Sequence, residues 1–277
     1  MEYHVAATVD EALGLLAGRD GSRPVAGGTD LAVVLADNLA AVSRLVDVTG
    51  IPGLRGVRRT AEGLAIGPAT TIAEIAARSD LPACLTQGAR AIGSPQIRNL
   101  ATLGGNVCNA SPCGDTLSAL VALEASFVLQ SRAGTRTVPA ERFFTGPKKT
   151  VLAAGELLVE IRIPASRLAG RSAFRMIGKR NGQVISQVNA AVWLAVQGGV
   201  VREVRAAVGS VAPVPLRLSG TERLLAGKAV AKLDLPAVLA SVDAEIAPIS
   251  DVRASLEYRR LVTRSLFADA LAEAAGT

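Results

Sequence analysis

A chain of 277 residues with 49% hydrophobic side chains has ample apolar surface for a large core or for two to three small ones, which excludes a disordered chain. Aromatic residues are only 3%, too few to line a stacking surface for single-stranded nucleic acid, and the net charge of +6 is scattered through short clusters such as Arg58-Arg59, Lys148-Lys149 and Lys179-Arg180. No apolar run reaches the length of a membrane span, the N-terminus lacks a basic segment followed by an apolar stretch, and Cys84, Cys108 and Cys113 make no even disulfide set, so a reducing, cytoplasmic location is expected.

Thr8-Val-Asp-Glu11 reads as a capping box that opens a first helix, with Ala12, Leu15 and Leu16 as its apolar stripe. Pro24 to Ala26 follows as a strand entering a turn, Leu31 to Leu35 as a buried helix and Arg44 to Val48 as a second strand, an order that favours a small α/β unit ending near Ile51-Pro-Gly. In the middle of the chain, Gly63 to Pro68 is a strand, Thr71-Ile-Ala-Glu74 repeats the capping box, and Leu81 to Ala91 and Asp115 to Glu124 are helices. Asp115 stands where a helix N-terminus favours a carboxylate. Ala125 to Leu129 and Leu157 to Ile163 complete a mixed unit before Pro164. Beyond it, Ala173 to Ile177, Val188 to Val196 and Val200 to Val208 are strands, the last two joined through Gly198-Gly199 as a hairpin. The tail is helical over Thr221 to Ala226, Leu235 to Ala240 and Ser255 to Ala275, with Tyr258, Leu261, Val262, Ser265, Ala268 and Ala272 predicted as the core-facing stripe of the last helix.

Two paired glycines stand out: Pro24-Val-Ala-Gly-Gly-Thr-Asp-Leu31 and Ala101-Thr-Leu-Gly-Gly-Asn106, each beside small polar residues and between apolar runs. Glycine allows positive φ and close approach, so successive N–H groups in such turns form a nest for a bulky anion, with Thr29 and Thr102 adding hydroxyls. Either turn alone reads as an ordinary turn; together they can hold one diphosphate between them. Neither has the G-x-G-x-x-G pattern of a Rossmann fingerprint. Cys108 and Cys113 lack the partners of a Zn or Fe–S site and read as small packing residues, and the sole histidine, His4, has no partner for general-base work.

With these motifs the chain resembles the FAD-binding medium subunit of the molybdenum hydroxylases, the group that includes xanthine dehydrogenase, carbon monoxide dehydrogenase and quinoline- or nicotine-type dehydrogenases. The matching residues are Ala26-Gly-Gly-Thr-Asp30, Ile92-Gly-Ser-Pro-Gln-Ile-Arg-Asn-Leu100, Thr102-Leu-Gly-Gly-Asn106, Asn109-Ala-Ser-Pro112, Asp115 and Gly155-Glu-Leu-Leu-Val-Glu-Ile-Arg-Ile-Pro164, in the family's order and over nearly the whole length. The resemblance implies an α+β FAD-binding fold of the vanillyl-alcohol-oxidase-like (PCMH) type. Its two α/β FAD-binding subdomains are expected at 1–54 and 55–165, and a C-terminal domain of antiparallel sheet and helices at 166–277. It implies FAD as cofactor, contacted by Pro24, Val25, Ala26, Gly27, Gly28, Thr29, Asp30 and Leu31, by Ala101, Thr102, Leu103, Gly104, Gly105 and Asn106, and by Asp115 and Leu158. Ile92 stands where some relatives carry an aromatic near the cofactor, and Arg175 where relatives often carry a lysine, keeping a positive charge. Lys179 to Ser186 resembles the family's mobile loop beside the flavin, with Val184 or Ile185 covering the ring.

The implied role is electron transfer: a large molybdenum-cofactor subunit oxidises substrate, a small subunit with [2Fe–2S] clusters relays electrons, and this chain passes them through FAD to an external acceptor, in a heterotrimer or its dimer. No residue here is expected to be catalytic or to bind metal, and no inserted cysteine segment for a [4Fe–4S] cluster is visible. Two other readings remain at this point, a stand-alone flavin reductase of the UDP-N-acetylenolpyruvoylglucosamine reductase type and a scaffold subunit that has lost its cofactor. The first lacks a recognisable substrate pocket and proton donor in the sequence, and the second is disfavoured by the presence of both glycine pairs.

Overall fold

A computed structural model describes residues 1–37, 42–180 and 182–276. Its first segment runs β1 (Glu2–Val5), α1 (Val9–Ala17), β2 (Ser22–Val25), α2 (Leu31–Asp37) and β3 (Arg44–Asp47), with the strands in the order β1-β3-β2 and parallel throughout. Thr8 caps α1 by accepting from Glu11 N, but the Glu11 carboxylate reaches back to Ala7 N and so closes one residue short of a reciprocal box. Ala12, Leu13 and Leu16 are the buried side of α1, packed with Val46, Val48 and Leu157; Leu13 thus takes the place expected of Leu15, which is half-buried.

The helix expected at Leu31 to Leu35 forms but is not buried: Val33 and Val34 are 62% and 52% exposed. An apolar sequence makes burial favourable without supplying a neighbour, and none of the described elements packs closely over α2.

The middle segment contains β4 (Val57–Thr60), β5 (Gly63–Ile66), α3 (Ile72–Ala77), α4 (Ala83–Ala91), α5 (Pro95–Leu100), α6 (Leu103–Asn109), α7 (Asp115–Ala122), β6 (Ser126–Ser131), β7 (Gly134–Pro139), α8 (Ala140–Phe143), the β8 (Phe144–Gly146) and β9 (Lys149–Thr150) ribbon, and β10 (Leu157–Pro164). Its sheet is antiparallel in the order β4-β5-β10-β6-β7. Thr71 and Glu74 make a complete capping box at α3. Every residue of α7 is buried, as its all-round small and apolar composition requires of a helix packed on several sides.

The last segment is an antiparallel sheet of β11 (Arg171–Ile177), β12 (Val188–Gln197), β13 (Val200–Gly209) and β14 (Leu216–Arg217), followed by α9 (Ser219–Leu225), α10 (Leu235–Glu245) and α11 (Leu256–Ala275). Gly198 and Gly199 both have positive φ, 59° and 73°, as a two-residue hairpin turn of primed type demands. Alternation divides the sheet: Phe174, Ala191, Trp193 and Ala207 face the middle segment, whereas Ala173, Ala190, Val192, Ala206 and Val208 face α10 and α11. The α+β expectation therefore holds, with α7 lodged between the middle sheet's helices and β12–β13.

The predicted stripe on α11 is corrected. Arg259, Thr263, Leu266, Phe267, Ala270, Leu271 and Ala274 face inward, and Leu261 is 62% exposed. A buried arginine misled the pattern: the Arg259 guanidinium donates to Gln187 O at 2.7 Å, Ser210 O at 2.8 Å and Asp251 Oδ1 at 2.8 Å, so a charged side chain occupies a core-facing position.

Candidate cofactor site

Residues 26–30 leave the C-terminal end of β2, the place where parallel strands of α/β units present loops to ligands. Gly27 is required by contact: a Cβ there would lie 1.8 Å from Leu100 O, so only glycine lets the α5–α6 connection touch this turn. Gly28 is required by conformation, with φ +68°, and its missing Cβ points toward open space, Val25 Cγ2 at 3.8 Å being the nearest atom. The turn starts α2 through Ala32 N to Gly28 O at 2.8 Å and Val34 N to Asp30 O at 3.3 Å. Among the described residues no acceptor takes the N–H groups of Gly27, Gly28, Thr29 or Asp30. Four successive donors thus stand without an acceptor among the described residues, the makings of a nest of the kind that binds phosphate oxygens.

The second glycine pair is built differently. Thr102 caps α6 by accepting from Gly105 N at 3.0 Å, which makes Leu103 to Asn106 the first turn of a helix rather than a loop. Leu103 N donates to Thr70 O at 2.9 Å, Gly104 N to Pro68 O at 2.8 Å and Asn106 N to Thr102 O at 3.0 Å. The expectation that both turns offer amides is therefore corrected: the helix cap and the Pro68–Thr70 carbonyls consume those of the second. What it offers is shape. A Cβ on Gly104 would sit 2.4 Å from Pro68 Cβ, so this glycine serves packing, whereas Gly105 is exposed and its Cβ would meet only Thr102 Oγ1 at 3.0 Å.

The two glycine segments abut through Gly27 and Leu100, and side chains tie them further. Asn109, the last residue of α6, hydrogen-bonds the Asp30 carboxylate, and Lys148 Nζ, on the β8–β9 turn, donates to Asn109 Oδ1 at 2.7 Å and lies 3.6 Å from Asp30 Oδ1. Asp115, the first residue of α7, is 5% exposed. Burial pushes its carboxyl up to about 7, against the opposing hydrogen bonds from Ser186 Oγ and from Asn189 Nδ2 at 3.3 Å. Both bonds fall on Oδ1. Asn189 is oriented in turn by Ser118, whose hydroxyl donates to its Oδ1 at 2.8 Å.

Ile92 caps the C-terminus of α4 and is half-buried against the main core; its carbonyl accepts from Arg98 Nη1 at 2.9 Å. Beside it opens a cleft of about 740 Å³ lined by Gly93, Ser94, Arg98, Met176, Gly178 and Val184. The cleft thus lies between the α4–α5 corner and residues 178–180 and 182–184, Asn181 lying outside the described residues, and Ile185 is 51% exposed. Leu158 is buried in the main core at a bulge of β10. Arg175 lies on the helix-covered face of the C-terminal sheet, opposite Phe174 and Met176, where it pairs with Glu273 of α11 and donates to Phe174 O at 3.0 Å. The structure so gathers residues 24–31, 101–106 and Asp30's partners at one place, with Asp115 anchored by Ser186 and Asn189, and gives Leu158 and Arg175 other neighbours. The Asn109 and Lys148 bridge and the Ser186 and Asn189 support of Asp115 join residues 39 to 79 positions apart, which no local spacing reveals.

A parallel α/β unit whose glycine turn keeps four N–H groups without an acceptor among the described residues, set against a second glycine pair and backed by an antiparallel sheet with helices, has the architecture of an FAD-binding protein of the vanillyl-alcohol-oxidase-like fold. Residues 1–166 match the model of the FAD binding domain in molybdopterin dehydrogenase, and residues 172–274 match that of the CO dehydrogenase flavoprotein C-terminal domain. The chain belongs to the FAD-binding medium subunits of the molybdenum hydroxylases, and FAD is its cofactor. It is 35% identical to the carbon monoxide dehydrogenase medium chain of Hydrogenophaga pseudoflava, over 98% of this chain and 95% of that one. It is 34% identical to the xanthine dehydrogenase FAD-binding subunit of Escherichia coli O157:H7, over 99% and 97%. Among solved structures, reconstituted CO dehydrogenase from Oligotropha carboxidovorans superposes with a TM-score of 0.94 at 30% identity, covering 100% of this chain and 98% of that one. Quinoline 2-oxidoreductase from Pseudomonas putida 86 does so at 0.91 and 26%, covering 100% and 97%. The protein is the flavoprotein subunit of an oxidoreductase. Among its described residues no helix is long and apolar enough to cross a membrane.

Proposed function

We propose that this chain carries electrons from the [2Fe–2S] clusters of a small partner subunit through FAD to an external acceptor, in a cytoplasmic enzyme whose substrate is oxidised on a large molybdenum-cofactor subunit. The observation that carries the reading is the Gly27–Asp30 turn, where N–H groups without an acceptor among the described residues and a missing Cβ at Gly28 leave room and donors for a diphosphate. The bound flavin supplies exchange of electrons singly or in pairs.

The chain's own residues supply position and electrostatics. Within the segment Pro24 to Leu31 the N–H groups of Gly27 to Asp30 hold the diphosphate while Pro24, Val25, Ala26 and Leu31 shape the turn around them, and Ala101 to Asn106 form the opposing wall, with Gly105 the point of close approach. Asp115 and Ile92 border the polar chain and a ring system, and the cleft beside Ile92 has the volume for such a ring. Leu158 acts from the core by supporting the strand beneath the site. Arg175, held by Glu273, keeps a positive charge on the C-terminal sheet. Units at 1–54, 55–165 and 166–277 provide the nest, the wall and the backing sheet. Relatives named as medium chains and FAD-binding subunits support a heterotrimer or its dimer, and the three unpaired cysteines fit a reducing compartment.

The test is to add FAD to the purified chain, remove the excess, and record the visible spectrum and flavin-to-protein ratio. Retention near one FAD per chain is expected, followed by bleaching on addition of the reduced small subunit. A folded chain that holds no flavin, alone or with its partners, overturns the reading.

A further inference from the structure

We infer that Lys148 is the counter-charge of the cofactor's diphosphate, an inference that rests on the flavin reading above. A diphosphate brings two negative charges into a turn that already ends in the Asp30 carboxylate. Neutral N–H groups offset part of that repulsion, and a cation close to the carboxylate offsets more of it. Among the described residues Lys148 is the only lysine or arginine whose head group pairs with a residue of the 26–31 turn, lying 3.6 Å from Asp30 Oδ1.

Its placement is built rather than casual. Lys148 takes a left-handed φ of 58° in the tight β8–β9 turn, and its N–H donates to Ala110 O at 2.9 Å, which locks the ribbon to the end of α6. Asn109, one residue earlier, accepts from Nζ at 2.7 Å and itself donates to Asp30, so the ammonium is steered toward the nest from two sides. As a stabilising pair the contact is worth little, since the Lys148 and Asp30 side chains are 53% and 55% exposed. That same exposure leaves the ammonium two further donors for an arriving anion. Its neighbour Lys149 already belongs to β9.

The experiment titrates FAD, ADP and riboflavin into wild type, Lys148→Met and Lys148→Arg, following fluorescence at low and high salt, with far-UV circular dichroism as the control for folding. Lys148→Met is expected to weaken FAD and ADP about tenfold and to flatten their salt dependence, while riboflavin, which has no diphosphate, binds as before. Lys148→Arg keeps the charge and is expected to stay within about threefold of wild type. Unchanged FAD and ADP affinity in Lys148→Met overturns the inference while leaving the flavin reading intact, and so does an equal loss for riboflavin, which would mark a general loosening of the site. Failure of wild type itself to bind FAD overturns both.

Discussion

Gly27 and Gly28 are adjacent and answer to different constraints, so substitutions there separate packing from binding. Gly27→Ala forces Leu100 O, 1.8 Å from the new Cβ, to move, and is expected to cost roughly 1–3 kcal/mol in denaturant unfolding. Gly105→Ala has the opposite profile. The residue is helical and exposed, so alanine gains helix propensity against a slight crowding of Thr102 Oγ1, and stability should hold while FAD affinity falls about tenfold from the methyl group in the wall. Equal FAD binding by this variant would remove Gly105 from the site. Asp115 makes a third prediction. Its folded carboxyl titrates near 7 and an unfolded aspartate near 3.8, so between those pH values the native state holds the extra proton and stability declines as pH rises. Asp115→Asn cannot titrate and should flatten that decline in unfolding midpoints measured from about pH 4 to pH 8; an unaltered slope would mean that Asp115 does not cause it.

At the scale of elements, local chemistry explains helix ends better than helix faces. The Thr71 and Glu74 box is complete, and Thr71→Ala should cost about 1 kcal/mol by thermal unfolding. The starts of α1 and α3 are legible in the sequence because a cap involves residues three or four apart. The faces of α2 and α11 are not, because Val33 and Val34 stay more than half exposed and Arg259 finds three oxygens far along the chain or in another turn. Accordingly Val33→Ser with Val34→Ser is expected to shift stability by less than about 0.5 kcal/mol, as for surface substitutions. A large loss in the isolated chain would show that α2 is covered. The short strands β1, β4 and β7 and the helices α5 and α6 escaped the sequence reading, since each is brief and strand β7 is exposed along most of its length.

Across the whole molecule, the middle segment and the C-terminal sheet share one polar and aromatic joint. Trp193 is 1% exposed, its Nε1 donates to Arg167 O at 2.9 Å, and the Arg167 guanidinium lies 4.3 Å over its ring. Arg167 binds Glu124, just past α7, at 2.9 Å through Nε, and Glu203 of β13 at 3.0 Å through Nη1. Removing Trp193 opens a cavity at this joint, so Trp193→Ala should cost about 3–5 kcal/mol. Trp193 is also the single tryptophan of the chain, so in wild type its fluorescence change should coincide with the loss of far-UV signal. Separate transitions would show that the segments unfold independently.

Legible in the chain were the two glycine pairs, the caps at Thr8 and Thr71, the longer strands and helices and the collinear family motifs, because each depends on residues close together in the chain or on its overall order. Tertiary packing left the first glycine pair's amides without acceptors among the described residues, while the second pair's segment spends its own on Pro68, Thr70 and Thr102. It also decided that Asp115 is buried beside Ser186 and Asn189, and that Lys148 stands over Asp30. Those outcomes turn on which distant carbonyl or side chain arrives at each polar group, and hydrogen bonding and desolvation act on that arrival rather than on spacing along the chain.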